Sequence, residues 1–289
     1  MKNTDSKLGI IGGSGLYSIE GLIHPKWIKI KTPFGQPSAS YFLGKLFDRE
    51  VVFLPRHGVN HQFLPSEVNY RANIYGFKKL GVNQIISVSA VGSLSNKYKP
   101  MDIVLPDQIV DYTHGIRKNT FFGNGLAAHI SWAQPVCLNM HKKISQICKN
   151  LKMPFYKKGA YLTVEGPAFS SRAESLLYQR WGMDIIGMTN GTEAKLAREA
   201  EICYASIALV TDYDSWHQTK EPVTTEMVIN CLKKNTHNGK KIIQRFCQTS
   251  LKDISCSCQD SLKYALITHK DKISKATLKS VKLLVQKYF

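Results

Sequence analysis

Apolar residues in this chain come in short runs separated by segments of helical spacing, and most runs end in Gly, Ser, Thr, Arg or Asp. Residues 8–11 form such a run and lead into Gly12-Gly13-Ser14-Gly15. After turn-rich residues 32–37, residues 41–43 and 50–54 read as paired strands, and the second delivers Arg56-His57-Gly58. Residues 69–80 carry Tyr70, Ile74 and Phe77 on one helical face and stop at Lys78, Lys79 and Gly81. A buried strand is expected over 82–88, running into Ser89-Ala90-Val91-Gly92-Ser93, with two further strands over 100–108 and 109–111. Between 112 and 135 no period survives, as in segments that cover a site or meet a partner.

The second half repeats the theme. A helix over 141–151 precedes a strand over 161–164, which ends in Glu165-Gly166-Pro167-Ala168-Phe169-Ser170-Ser171 before a helix over 172–181. Residues 184–187 run into Met188-Thr189, with a helix opening at Glu193. The most strand-like run, 205–210, delivers Thr211-Asp212-Tyr213-Asp214, and lysine-rich helices close the chain over 224–250 and 277–288. Strands alternating with helices, each strand ending in a polar or glycine-rich loop, predict an α/β fold. Its mixed central β-sheet is surrounded by helices, with ligands at the carboxyl ends of the strands.

Composition narrows the class. A chain of 289 residues with 43% hydrophobic content sustains one domain, 1–289. No run approaches the ~18 apolar residues of a membrane span, and the start lacks the apolar core of a signal peptide, so a cytoplasmic protein without a membrane partner is expected. The formal charge of +18 raises nucleic acid as a partner, but the lysines are scattered rather than gathered in a stripe. They read as a solvated surface that steers small anions, with no nucleic-acid partner. Seven cysteines, mostly far apart, do not form a disulfide framework. Cys256 and Cys258 make a Cys-x-Cys pair with no second pair to complete a metal site, and Gly58 breaks the helix that His57 and His61 would need as ligands. No metal is expected.

The strand ends supply the chemistry. Glycine loops expose backbone N–H groups to an oxyanion, and Arg56, His57, Ser89 and Thr189 add donors. Met188 offers a soft apolar face to a sugar. Phe169 suits stacking on a flat base and Ser170 bonding to its edge; equally, Phe169 reads as core and Ser170 as a helix N-cap. Asp212 and Asp214, two apart on an extended segment, point to one side. Together they suggest phosphate attacking a nucleoside.

The motifs Ile-Gly-Gly-Ser-Gly-Leu, Thr-Pro-Phe-Gly, Arg-His-Gly, Ser-Ala-Val-Gly-Ser-Leu, Glu-Gly-Pro-Ala-Phe-Ser-Ser-Arg-Ala-Glu, Gly-Met-Thr and Thr-Asp-Tyr-Asp-Ser-Trp occur in that order. From about residue 9 to 228 the chain resembles the methylthioadenosine phosphorylases of the trimeric purine nucleoside phosphorylase family. The resemblance implies a nine-stranded, distorted, barrel-like mixed sheet, and a homotrimer with a hexamer as the alternative assembly. It implies a phosphate site of Ser14, Arg56, His57, Ser89, Ala90 and Thr189. Met188, Phe169, Ser170, Asp212, Asp214, Thr225 and Val228 are implied as nucleoside contacts, and His129 as a reach into a neighbour's 5′ pocket. Inorganic phosphate is then a co-substrate and no cofactor is needed.

On this reading Asp212 acts as general acid toward the purine N7, and Asp214 accepts from the exocyclic amine of adenine. Two departures bear on specificity. Asn190-Gly191-Thr192-Glu193 replaces a stretch that carries Pro in adenine-specific relatives, and Thr225 stands where an apolar residue often meets the methylthio group. The alternatives are a phosphorylase of 6-oxopurine nucleosides or methylthioinosine, a nucleosidase using water, and a nucleic-acid-binding protein.

Overall fold

The computed structural model describes residues 7–16, 19–217, 224–249 and 256–289. Among these residues eleven strands form one sheet, whose main path runs in the order β2 (Leu22–Ile28), β3 (Tyr41–Leu46), β4 (Arg49–Pro55), β1 (Lys7–Gly12), β5 (Val82–Ser93), β10 (Ile185–Gly187), β9 (Ala160–Val164) and β7 (Gln108–Tyr112). A branch leaves β5 through β11 (Cys203–Asp212), β6 (Ile103–Val104) and β8 (Phe155–Tyr156). The mixed sheet agrees with expectation, but the count is eleven where the resemblance implied nine. The two-residue strands β6 and β8 fall within that difference, and they are too short to leave a period in the sequence.

β5 organises the sheet. It runs parallel to β1 and β11 and antiparallel to β10, so three strands meet along its twelve residues. The run expected over 82–88 extends to Ser93 because the last residues take β10 and the end of β11 as new partners. Near that end the β5–β11 ladder slips: Val210 faces Val91, yet Asp212 faces Gly92, leaving Thr211 as an extra residue.

Alternation along the central strands sorts their side chains onto two faces. Tyr204, Ala208 and Val210 of β11, with Ile11 and Ile85, join one apolar core, while Ala205, Ile207 and Leu209, with Ile10 and Ile86, join another. Helices α1 (Tyr70–Lys79), α4 (Asn190–Glu199) and α6 (Lys275–Val285) contribute to the first core, and α2 (Leu138–Asn150) and α5 (Thr225–Gln248) to the second. Every residue of β11 is buried, which explains its unbroken apolar run. Each fully buried side chain such as Phe246 contributes about 1.5–3 kcal/mol by leaving water.

Helix ends follow local chemistry. Asn69 caps α1 by accepting from the N–H of Ala72. Ser171, not Ser170, caps α3 (Arg172–Arg180), exchanging hydrogen bonds with Glu174 in a capping box. The helix expected to open at Glu193 opens three residues earlier, at Asn190. Its first turn is held by Gly191 N–H donating to the Thr163 hydroxyl and by the Asn190 amide donating to Ser206. Residues 113–136 hold no long strand or helix, as expected.

Candidate active site

The polar strand ends converge where β5 meets strands of opposite direction. Arg56, just beyond β4, donates its backbone N–H to the Gly12 carbonyl, which joins the glycine loop to the Arg-His-Gly segment. A side chain at Gly12 would meet Leu16, with its Cβ 2.2 Å from Cδ1, and would have to displace it. The side chain of Ser14 lies outside the described residues.

Arg56 is 4% exposed, and its guanidinium is not an open fork. Nε donates to Glu193 Oε1 at 2.5 Å and Nη2 to Oε2 at 3.2 Å, while Nη2 also reaches the Ser87 hydroxyl at 2.7 Å and Nη1 the Val88 carbonyl at 3.2 Å. Ser87 and Tyr204 donate their hydroxyls to the same Glu193 carboxylate. Glu193 therefore neutralises Arg56. Charge and bidentate bonding from Glu193 hold Arg56 protonated despite its burial. The sequence carried one signal for this partner, an acidic residue in the first turn of a buried helix.

His57 adds no charge of its own near pH 7. Burial first, then the Arg56 charge, pushes its pKa down to about 4, so the imidazole is neutral near pH 7. It stacks on His61 with ring centroids 4.4 Å apart, and Nδ1 lies 2.9 Å from the Phe63 carbonyl. Positive potential for an anion comes instead from the N-terminus of α4. Thr189 is the N-cap there, buried, and its hydroxyl makes no capping bond. Ser89 on β5 holds a buried hydroxyl without a partner among the described residues, beside the buried hydroxyl of Tyr161. Ala90 follows it on the same strand. The Ser89 hydroxyl is thus a buried donor left open to an oxyanion.

Met188 sits between the two halves of the site. Its carbonyl accepts from Arg117, a buried residue of the irregular segment that also ion-pairs with Glu165, Nε to Oε1 at 2.6 Å, and bonds the Glu165 carbonyl. Glu165 accepts in turn from the Ser66 hydroxyl and the His114 N–H. Sequence reasoning missed Arg117 because nothing around it is periodic. Gly166, at φ +68°, brings the next loop against Met188; a Cβ there would lie 2.5 Å from Sδ. Beyond it Phe169 is 42% exposed and so is not core, and Ser170 accepts on its carbonyl from the Ser215 hydroxyl at 2.5 Å. A cleft of about 290 Å³ opens here among Tyr112, Val164, Gly166, Phe169, Ser170 and Tyr178.

The aspartates lie behind this cleft. Asp212 is 8% exposed and Asp214 4%. A Cβ at Gly92 would stand 3.0 Å from Asp212 Oδ1 and 3.3 Å from Asp214 Cβ, so both acids occupy the room that a glycine leaves. Burial raises Asp212 to about 6; the Thr211 hydroxyl, donating to Oδ2 at 2.7 Å, opposes this, and Asp214 adds to it. Burial also raises Asp214, whose Oδ2 has no partner among the described residues. Val228 and Cys231 share one face of α5, and Cys231 touches the Val210 carbonyl, so this face looks toward the end of β11. Val228 is half-buried and Thr225, in the first turn, is exposed. His129 is exposed and tied through its N–H to the Ala265 carbonyl, with no described contact to the aspartates.

The cysteine expectation fails on geometry. Cys256 and Cys258 do find two further thiols, because the fold brings in Cys137 and Cys203 singly from distant segments.

An oxyanion seat beside a sugar-sized apolar surface, ending in two protonatable carboxyls, is the arrangement of a glycosyl-transferring site. The chain belongs to the Phosphorylase superfamily, which it matches over residues 7–248. It is similar to the S-methyl-5′-thioadenosine phosphorylase of Koribacter versatilis (strain Ellin345), at 48% identity over 284 residues, 98% of this chain and 97% of the relative. Among solved structures it is similar to a methylthioadenosine phosphorylase from an antarctic soil metagenomic library, with TM-score 0.92, 44% identity, and coverage of 98% of this chain and 99% of that one. The methylthioadenosine phosphorylase of Schistosoma mansoni in complex with adenine is similar at TM-score 0.78 and 35% identity, covering 84% and 91%.

Proposed function

We propose that the chain catalyses phosphorolysis of S-methyl-5′-thioadenosine, releasing adenine and forming 5-methylthioribose 1-phosphate. The observation that carries this reading is the buried pair Asp212 and Asp214 against Gly92, with an unpaired acceptor on Asp214 and a carboxyl on Asp212 raised to about 6. As the C1′–N9 bond lengthens, its electron pair moves into the purine and positive charge builds on the ribose. Protonated Asp212 gives its proton to N7, so the base leaves neutral, and solvent returns a proton to the carboxylate. Asp214 Oδ2 accepts from the exocyclic amine. Phosphate, seated by Ser89, Ala90 and Thr189 with Arg56 and His57 alongside, stabilises the cationic sugar and forms the new C1′–O bond from the opposite face.

Inorganic phosphate is thus the co-substrate, and the reaction needs no resident cofactor. Phe169 and Ser170 take the base face and edge, Met188 the ribose, and Val228 with Thr225 the 5′ substituent. A cytoplasmic homotrimer completes the reading, in which exposed His129 supplies the 5′ pocket of a neighbouring copy.

A second reading has one observation in its favour. Both aspartates are raised, and a protonated carboxyl donates to a 6-oxo group where a carboxylate would repel it. The chain would then act on inosine, guanosine or methylthioinosine. Release of free base from methylthioadenosine, adenosine, inosine and methylthioinosine, with and without phosphate, separates the readings. Fastest release from methylthioadenosine, only with phosphate, supports the first. Faster hypoxanthine release supports the second, and release without phosphate removes both.

A further inference from the structure

Away from the aspartates, four thiols from three parts of the chain come together. Cys137 is the N-cap of α2, Cys203 opens β11, and Cys256 and Cys258 flank the start of the short 3-10 helix Ser257–Asp260. Their four Sγ atoms all lie within 4.8 Å of one another, and those of Cys137 and Cys256 are 3.5 Å apart. Three of the four residues are buried and Cys256 is half-buried.

A disulfide joins sulfurs two at a time at about 2.05 Å and gives no reason for four to converge. A tetrahedral zinc ion does. With Zn–S near 2.3 Å, the sulfur–sulfur edge of the tetrahedron is about 3.8 Å, within the spread seen here. Among the described residues no carboxylate or imidazole shares the cluster, and four thiolates leave no open coordination position, which is the donor set of a structural rather than a catalytic ion.

We propose that Cys137, Cys203, Cys256 and Cys258 bind a structural zinc ion. Each Zn–S bond replaces an S–H bond, and the proton passes to solvent, so the filled site carries two net negative charges. The surroundings suit that charge. Cys137 is the N-cap of α2, so its Sγ lies at the positive end of a helix. Lys143 lines the same hollow.

The ion fastens the C-terminal segment to the sheet. Cys256 and Cys258 open the stretch whose Ala265 and Ile267 pair with the backbone of His129 and Ala127, while Cys137 and Cys203 belong to α2 and the central strand. Metal binding at one end therefore positions the His129 segment at the other.

The test uses the full chain expressed in zinc-supplemented medium and purified without chelator. Elemental analysis is expected to give about one zinc per chain, released by a mercurial in step with unmasking of the cluster thiols. Cobalt substitution should show thiolate-to-metal charge transfer and the intense visible bands of a tetrahedral site. Cys258→Ser and Cys137→Ser should each lower zinc content at least about tenfold, while Cys148→Ala, outside the cluster, retains it. A chain with free thiols and no metal, two disulfides found by mass spectrometry under non-reducing conditions, iron in place of zinc, or zinc retained in both serine variants would each overturn the proposal. Because the wild-type stoichiometry is decisive alone, failure of a variant to fold leaves the test intact.

Discussion

Replacing Asp212 by Asn keeps the size and planarity of the side chain in front of Gly92 but removes the proton that the reaction uses. General acids of this kind contribute about 10²–10⁴ in rate, or about 3–5 kcal/mol of barrier at ~1.4 kcal/mol per tenfold. The structure argues for the middle of that range. Burial brings Asp212 to about 6, so at pH 7 about one molecule in ten (10⁻¹) holds the proton, and its acidity is matched to the task. We expect Asp212→Asn to lose about 10³-fold in kcat/KM for methylthioadenosine and to lose the wild-type alkaline limb, along which activity falls as pH rises through about 6. Thr211→Val removes the hydroxyl that favours the ionised form, and should move that limb upward by about one pH unit. The assay is initial-rate base release across pH, run in parallel with a nucleoside already methylated at N7, whose base leaves without a proton. On that substrate Asp212→Asn should stay within about threefold of wild type. Equal losses on both substrates would mean that Asp212 positions the base rather than protonating it, and near-normal turnover on methylthioadenosine would refute the acid role outright.

Three other outcomes are expected. Asp214→Asn presents a donor to the purine edge and should shift the ratio of rates toward 6-oxopurine nucleosides by at least about tenfold, read by competing adenosine against inosine; an unmoved ratio places selectivity elsewhere. Glu193→Gln leaves buried Arg56 without its counter-charge and should cost about 3–5 kcal/mol in unfolding free energy, with added phosphate restoring more in the variant than it adds to wild type. A cost below about 1 kcal/mol would mean that the ion pair is not what holds Arg56. Burial raises Glu199 to about 7, against the Phe121 N–H and Thr120 hydroxyl that favour its charge. A raised carboxyl lends stability in full below its unfolded value near 4.5 and loses it as pH rises through about 7, a swing of about 3 kcal/mol. Thermal unfolding should show wild type weakening from pH 5 to 8 and Glu199→Gln weakening less.

The sequence made some of this legible, for identifiable reasons. Runs such as 8–11 and 205–210 were readable because both of their faces are buried. The exposed edge strand β2, which contains Pro25, has no apolar run to announce it, and the pairs of residues in β6 and β8 are too short for any period. The polar strand ends were visible as residue types at loop positions, and the fold sets Asp212 and Asp214 together against Gly92. What lay hidden is pairing across distance. Glu193 meets Arg56 from 137 positions away, and Arg117 reaches Met188 from 71. Cys256 meets Cys137 from 119. Spacing rules see neighbours in sequence, so a Cys-x-Cys looks solitary when its partners arrive one at a time.

The slip in the β5–β11 ladder makes the site sensitive to insertions and deletions in a way that point substitutions do not reveal. In an unbroken ladder continuing from Val210 opposite Val91, Asp212 would stand opposite Ser93; the extra residue Thr211 sets it opposite Gly92, where the missing side chain makes room for the carboxyl. Removing Thr211 would leave the acid opposite Gly92 but erase the bulge that aims it, and adding a residue would carry it past this notch.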